Sequence, residues 1–175
     1  MTSPQGDPSE SNAPAEQIPV MQGEVYCAAE PKVLVTVLGS CVAVCLWDRV
    51  RGIGGMNHFV LPSDTTGTKS ARYGDVAIDE LEAGLLRLGC RMTDLQAKVF
   101  GGAAVLPFAG GHSVGSSNIQ LAMERLQRDR IRVTAQRTGG ILGQQVRFHT
   151  RTGVVFVRYL AAGSRVAAAP QLIRA

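Results

Sequence analysis

Two apolar runs on either side of a short polar turn constrain the fold of this chain more than any other feature. The first run covers residues 41–47, the second covers residues 53–61, and the polar turn lies at 48–51. Short apolar runs around one turn are typical of two β-strands that form a hairpin. Pro62 ends the second strand, because proline cannot donate a ladder hydrogen bond. The sequence therefore predicts an antiparallel strand pair here.

This hairpin brings one thiol and one imidazole together. If positions whose numbers sum to 99 face each other, Cys41 lies directly opposite His58. Opposed Cβ atoms in an antiparallel pair are about 4.5–5.5 Å apart, which lets a thiol and an imidazole hydrogen-bond. Free cysteine is mostly protonated at neutral pH, and only the thiolate attacks well. The pattern thus predicts Cys41 as a nucleophile and His58 as its base.

Each of these residues also has an ordinary structural interpretation. A cysteine in a β-branched run is usually a small buried hydrophobic residue, and a lone histidine is usually a hydrogen-bonded structural one. The turn at Gly39-Ser40 favours catalysis, because its backbone N–H groups could hold an oxyanion. Gly54-Gly55 also favour it, because glycines inside a strand often mark a close approach. Thr36 could orient the imidazole from the neighbouring strand, although an ordinary strand threonine is the simpler interpretation.

Cys45 raises the alternative of a metal site. On a helix Cys41 and Cys45 would lie together, but on a strand they are about 13 Å apart at ~3.3 Å per residue. The sequence contains no C-x-x-C pair that would strengthen a zinc site with His58. We expect neither a metal nor an organic cofactor. Cys45, Cys27 and Cys90 are then reduced core or surface thiols, as in a cytoplasmic protein.

The charge distribution narrows the class of partner. Residues 1–19 carry three acidic and no basic side chains, so the rest of the chain, with 18 basic and 11 acidic side chains, has a net charge of +7. An acidic protein partner suits such an arginine-rich surface. Few aromatic residues accompany the charges, so nucleic acid binding is not expected. No apolar run is long enough to span a bilayer, and no signal peptide is recognisable, so we expect a cytoplasmic protein without membrane insertion.

The remaining pattern predicts one α+β domain, with two helices against a largely antiparallel sheet. We expect a disordered extension at 1–19, the domain at 20–160 and a loose tail at 161–175. The predicted elements are a strand at 33–37, a helix from Asp75 to about Leu88, a strand at 95–100, a glycine-rich loop at 101–115, a helix that Ser116 or Ser117 caps, a strand around 131–135, and a hairpin of 146–149 with 154–159.

Four strings of the sequence together resemble one protein family. They are LGSCVAVCL at 38–46, GGMNHFVLP at 54–62, RYGDVA at 72–77 and AKVFGGA at 97–103. In this order they resemble the CheD family of chemoreceptor glutamine deamidases, over roughly residues 20–160. The resemblance implies a layered α/β sandwich similar to toxin-type deamidase domains. It also implies hydrolysis of glutamine side chains on methyl-accepting chemotaxis receptors, which gives glutamate and ammonia.

The resemblance further implies roles for particular residues and partners. Cys41 matches the family's nucleophile, His58 its base and Thr36 its third member, and the CheY phosphatase CheC is an implied partner. The sequence departs from the family before Asn118, where an arginine is expected, and at 143–146, which is less basic. Two alternatives stay open: another cysteine acyl-transfer enzyme, such as a protease or transglutaminase, and a non-catalytic adaptor that binds a chemoreceptor or CheC through its basic face.

Overall fold

A computed structural model of the chain describes residues 15–104, 113–160 and 171–173. In these residues the chain forms ten β-strands, two α-helices and a short 3-10 helix at Met92–Asp94. The elements are β1 (Glu16–Pro19), β2 (Glu24–Ala28), β3 (Lys32–Leu38), β4 (Val42–Asp48), β5 (Ile53–His58), α1 (Gly74–Arg87), β6 (Leu95–Gly101), α2 (Val114–Arg128), β7 (Arg132–Thr138), β8 (Gly143–His149), β9 (Val155–Leu160) and β10 (Gln171–Ile173).

The elements form three layers. One five-stranded sheet, which we call the outer sheet, has the order β1-β3-β8-β9-β10; the other, the central sheet, has the order β2-β5-β4-β6-β7. Strand pairing is antiparallel except for β1 with β3 and β6 with β7. Both helices pack on the face of the central sheet that is turned away from the outer sheet. This arrangement confirms the predicted layered α+β fold.

The central sheet is buried on both faces, as β4 shows. Val42, Val44 and Leu46 pack toward the helices, whereas Ala43 and Cys45 pack toward the outer sheet. A strand that is covered on both sides has no polar face, so its sequence is an unbroken apolar run. This burial explains why the sequence alone identified β4 and its hairpin partner β5.

The two helices begin at positions other than those predicted. Tyr73 precedes the first turn of α1, and Asp75 lies inside that turn, where its carboxylate accepts a hydrogen bond from the Asp64 N–H. The predicted cap at Asp75 is therefore wrong. The cap of α2 is Ser113, three residues before Ser116 and four before Ser117, because the Ser113 side chain accepts the Ser116 N–H. Neither helix is long and apolar enough to cross a membrane among the residues that the structure describes.

Two strands lie outside the predicted domain limits of 20–160. Residues 16–19 form β1 on the outer sheet, and residues 171–173 pair with β9. The remaining parts of the predicted extension and tail, at 1–14, 161–170 and 174–175, lie outside the described residues, as does most of the predicted glycine-rich loop, at 105–112.

Candidate active site

The three residues predicted for the site come from three neighbouring segments. Thr36 lies on the inward face of β3, Cys41 immediately precedes β4, and His58 is the last residue of β5. Their exposed fractions are 5%, 7% and 3% respectively, so all three are buried. Cys41 belongs to the apolar cluster between the two sheets, and Leu34 and Leu38, on the same face of β3 as Thr36, belong to it too. The structure therefore gathers the three residues where the sheets meet.

The register of the hairpin differs from the predicted one by two residues. Cys45 pairs with Met56 and Val42 with Phe59, so Ala43, not Cys41, is in line with His58. The reason is the turn. Gly52 has a left-handed φ of 64° and its N–H bonds to the Asp48 carbonyl, so the residue belongs to the turn and not to β5. Cys41 and His58 are thus diagonal neighbours, about 7–8 Å apart at the backbone, a gap that a long side chain can span.

The hydrogen bonds of His58 determine which of its ring nitrogens carries the proton. Thr36 Oγ1 lies 2.8 Å from the Val20 carbonyl oxygen and 2.8 Å from His58 Nδ1. The single hydroxyl proton goes to the Val20 carbonyl, which can only accept, so Nδ1 must donate to Thr36 Oγ1. The Val20 carbonyl also lies 3.4 Å from Nδ1 and reinforces this assignment. Neutral His58 therefore carries its proton on Nδ1 and presents a lone pair at Nε2.

That lone pair is available to a reacting group. His58 Nε2 is buried and has no hydrogen-bond partner among the described residues, and Cys41 Sγ is therefore not bonded to it. Contacts of this kind are often long without substrate and shorten when substrate binds. The arrangement is thus a base with a fixed tautomer near a thiol to which it is not hydrogen-bonded.

Burial keeps both members of the pair neutral. It lowers the pKa of His58 below its usual value, against the opposing effects of the Val20 carbonyl and Glu24. It raises the pKa of the Cys41 thiol, an effect that the thiol's own backbone N–H and the Arg72 guanidinium partly offset. At neutral pH the site accordingly holds a thiol and an imidazole, not a thiolate and an imidazolium.

A cavity of about 520 Å³ opens onto His58. Its polar lining includes His58, Thr36 and the exposed Arg72, and its apolar lining comes mainly from residues 19–21 and from β3. Cys41 does not line it, so a side chain that enters the cavity meets the imidazole first. The volume is ample for an amide side chain, since ligand pockets of about 300–1,000 Å³ hold whole small molecules.

The turn before Cys41 is held by residues that are distant in the sequence. The Gly39 carbonyl accepts the Ala103 N–H at 2.8 Å, and the Cys41 carbonyl accepts the Gly102 N–H at 2.8 Å. Between them, the Ser40 carbonyl accepts a hydrogen bond from Asn118 Nδ2 at 3.1 Å. Sequence reasoning assigned no role to Asn118. A separation of 78 residues leaves no local signal that could have linked it to Ser40.

The other cysteines lie in different surroundings. Burial raises the pKa of Cys45, which sits opposite Lys98 on β6, and raises the pKa of both Cys27 and Cys90 to about 11. These thiols are therefore protonated at neutral pH and poorly nucleophilic. Because β4 is a strand, Cys45 does not share a helical face with Cys41, which was the condition for the zinc alternative.

Comparison with known proteins places this chain in a family. A family model described as CheD chemotactic sensory transduction matches residues 60–159, more than half of the chain. The chain belongs to the CheD family. The matched stretch begins after His58, so Thr36, Cys41 and His58 lie outside it. The family membership confirms the resemblance drawn from the sequence strings.

Curated CheD proteins are similar over most of their length. The chain is 58% identical over 137 residues to the probable chemoreceptor glutamine deamidase CheD of Rhodospirillum rubrum, covering 78% of each chain. It is 46% identical over 145 residues to a protein named probable chemoreceptor glutamine deamidase CheD 1 from Anaeromyxobacter dehalogenans, covering 82% of this chain and 85% of that one. The CheD of Thiobacillus denitrificans, also named a probable chemoreceptor glutamine deamidase, is 44% identical over 155 residues, with 85% and 76% covered.

Proposed function

We propose that this chain is a cysteine-dependent protein-glutamine deamidase that acts in bacterial chemotaxis. Its substrates would be selected glutamine side chains of methyl-accepting chemotaxis receptors, which it converts to glutamate with release of ammonia. The names of the CheD relatives support the reaction class. The observation that carries the assignment to particular residues is the Thr36–His58 hydrogen bond, because it leaves His58 Nε2 as a proton acceptor beside Cys41.

The first half of the reaction forms a thioester. His58 Nε2 accepts the proton of Cys41 Sγ, and the thiolate attacks the carboxamide carbon of the substrate glutamine. Negative charge develops on the amide oxygen, where backbone N–H groups of the Ser40–Cys41 turn stabilise it. The imidazolium then protonates the leaving nitrogen, and ammonia departs as the C–N bond breaks.

The second half restores the enzyme. Neutral His58 accepts a proton from a water molecule, and the resulting hydroxide attacks the thioester carbon. The C–S bond breaks, and the imidazolium returns its proton to the Cys41 sulfur. The net reaction consumes one amide and one water and releases one carboxylic acid and one ammonia, so we propose that neither a metal nor an organic cofactor takes part.

Arg72 supports the charged stage of this cycle. Arg72 lines the cavity with His58, and its positive charge opposes the rise in the pKa of Cys41 that burial causes. A cation near the sulfur favours the thiolate as soon as the proton moves to His58. Arg72 has no carboxylate partner within 4.0 Å among the described residues, so its charge is available to the site.

The charge of the chain suits an acidic receptor surface. Residues 20–175 carry a net charge of +7, and opposite charges raise the rate of association in a salt-dependent way. We therefore propose that association with a receptor cytoplasmic fragment slows as salt rises. A CheC-type CheY phosphatase is a second proposed partner, which a pull-down with the purified phosphatase would test.

The test of the proposed function combines ammonia release with mass spectrometry of a receptor cytoplasmic fragment. We expect ammonia and Gln-to-Glu conversion with the unaltered chain and neither with Cys41→Ser, while the matched variant Cys45→Ser stays active. Cleaved or crosslinked peptides would instead indicate a protease or a transglutaminase. A Cys41→Ser variant that still deamidates the fragment would refute Cys41 as the nucleophile. If the unaltered chain is inactive, and it and both cysteine variants bind the fragment equally well, the protein is an adaptor.

A further inference from the structure

The carbonyl before the nucleophile is held by a side chain, unlike its neighbours. Gly39 and Cys41 accept backbone N–H groups from Ala103 and Gly102. The Ser40 carbonyl has no backbone donor among the described residues, and its donor is Asn118 Nδ2 on α2. The orientation of the Ser40–Cys41 peptide therefore depends on one amide side chain.

The same amide also holds the strand that carries the base. Asn118 Nδ2 donates its second hydrogen to the Val60 carbonyl at 2.9 Å. Val60 is two residues beyond His58 and in line with Cys41 in the hairpin register. Two carbonyl acceptors fix the amide so that the nitrogen faces both. Asn118 is thus a bridge between the nucleophile turn and the end of β5.

This bridge carries a cost in stability. Asn118 has no exposed surface, and its Oδ1 has no hydrogen-bond partner among the described residues. An unpaired buried amide oxygen destabilises the folded state, whereas an apolar side chain of similar size does not carry this cost. Packing alone would therefore favour leucine here, and what the amide adds is two aimed donors.

The Ser40 carbonyl fixes the direction of the next N–H. In a trans peptide the C=O and N–H groups point in opposite directions, and the described residues contain no cis peptide. With the Ser40 oxygen directed at α2, the Cys41 N–H points away from α2. The Cys41 N–H has no carbonyl acceptor among the described residues. It lies close enough to the Cys41 sulfur to lower the pKa of the thiol, against the larger effect of burial. An N–H beside the attacking sulfur is where an oxyanion donor must lie.

We propose that Asn118 is a positioning residue for deamidation, which holds the Ser40 carbonyl so that the Cys41 N–H is aimed at the oxyanion of the tetrahedral intermediate. This inference rests on the proposed function. Loss of one oxyanion donor lowers kcat by about 10²–10³-fold in a well-studied hydrolase. Because removal of Asn118 misdirects the donor without deleting it, we expect a loss of about ten- to a hundredfold.

The test uses Asn118→Leu, which removes both donors and keeps the branching and the number of side-chain heavy atoms. We expect kcat for the receptor fragment to fall by that factor and KM to stay within about twofold, as for an interaction made only in the transition state. Alkylation of Cys41 by iodoacetamide forms no oxyanion, so its rate should change by no more than about threefold. If Asn118→Leu does not fold, Asn118→Ala is measured by the same criteria.

A control variant and the pattern of results separate the possible outcomes. Thr150→Val removes a buried hydroxyl that bonds to the backbone of residues 30 and 32, at the other end of β3; its kcat should not change. Unchanged kcat in the Asn118 variant, or an equal loss of deamidation and alkylation, would overturn the positioning role. An inactive unaltered chain, or an active Cys41→Ser, would instead refute the proposed function itself, whereas an active unaltered chain, an inactive Cys41→Ser and an unimpaired Asn118 variant together would refute only the role of Asn118.

Discussion

Replacement of Thr36 by valine tests the assignment of the His58 tautomer. Valine matches the volume of threonine but has no hydroxyl, so the change removes the 2.8 Å contact with Nδ1 and the 2.8 Å bond to the Val20 carbonyl. The Nδ1 proton loses its main acceptor, and only the Val20 carbonyl at 3.4 Å remains. The ring is then less strongly held in the tautomer that leaves Nε2 free.

The magnitude follows from the charge on the ring during the reaction. His58 becomes an imidazolium in the transition state, and a hydrogen bond to a charged group is worth about 1.5–3 kcal/mol, against about 1 kcal/mol between neutral groups. A loss of about 2 kcal/mol corresponds to about thirtyfold in kcat, at 1.36 kcal/mol for each factor of ten. An acceptor on Nδ1 also favours the imidazolium, so its removal lowers the pKa of His58 still further.

The assay is the pH dependence of ammonia release from a receptor fragment. We expect Thr36→Val to lower the plateau of kcat by about thirtyfold and to move the acid limb to lower pH. Thr150→Val is the matched control, because it removes another buried threonine hydroxyl far from His58. A Thr36→Val enzyme with an unaltered plateau and acid limb would refute the tautomer argument, because the reaction would then not depend on the Thr36 hydroxyl.

Three further results are expected. In the unaltered chain, the acid limb of kcat/KM should lie below pH 6.5, because burial lowers the pKa of His58 and activity is lost only as this base becomes protonated. An acid limb above pH 6.5 would contradict the role of His58 as a buried neutral base. Gly101→Ala should lower both the melting temperature and the activity, because Gly101 has φ 99° and an added Cβ would overlap the Cys41 carbonyl oxygen. The control Gly67→Ala, at φ 71° with open space around it, should cost only about 1–2 kcal/mol of backbone strain and leave activity intact. Burial and the nearby Asp129 raise the pKa of Glu82 from 4.5 to about 7, so the folded state loses stability as pH rises between these two values. Denaturant unfolding should show that Glu82→Gln is more stable than the unaltered chain by about 1 kcal/mol at pH 8, a value that allows for the partial exposure of Glu82. At pH 4 the two should be equally stable.

The parts of the fold that the sequence predicts are those with a strong local pattern. The β4 and β5 strands are apolar because both faces of the central sheet are covered, and α1 shows a clear apolar stripe. β1 was missed because four mostly exposed residues carry no periodicity, and its position depends on parallel pairing with a distant strand. The register shift has a similar origin: it depends on the left-handed conformation of Gly52, which composition does not reveal.

The candidate site divides in the same way. Cys41 and His58 were identified from the sequence because they occur in one hairpin, and even a register that was wrong by two residues kept them on the same face. Thr36 was linked to them mainly by resemblance, and the structure places its hydroxyl 2.8 Å from the imidazole. The Val20 carbonyl and Asn118 could not be predicted. A backbone oxygen leaves no trace in the side-chain pattern, and Asn118 reaches the nucleophile turn only through the packing of α2.

The Val20 carbonyl links the chemistry of the site to the pairing of one short edge strand. Val20 directly follows β1, a four-residue edge strand whose ends fray more easily than the core. If β1 were detached from β3, the Val20 oxygen would be lost, and the Thr36 hydroxyl would be free to turn its proton toward Nδ1. The ring proton would then belong on Nε2, and the imidazole could not accept the proton of Cys41. The reactive tautomer of His58 therefore depends on a strand at the rim of the outer sheet as well as on the side chains of the site.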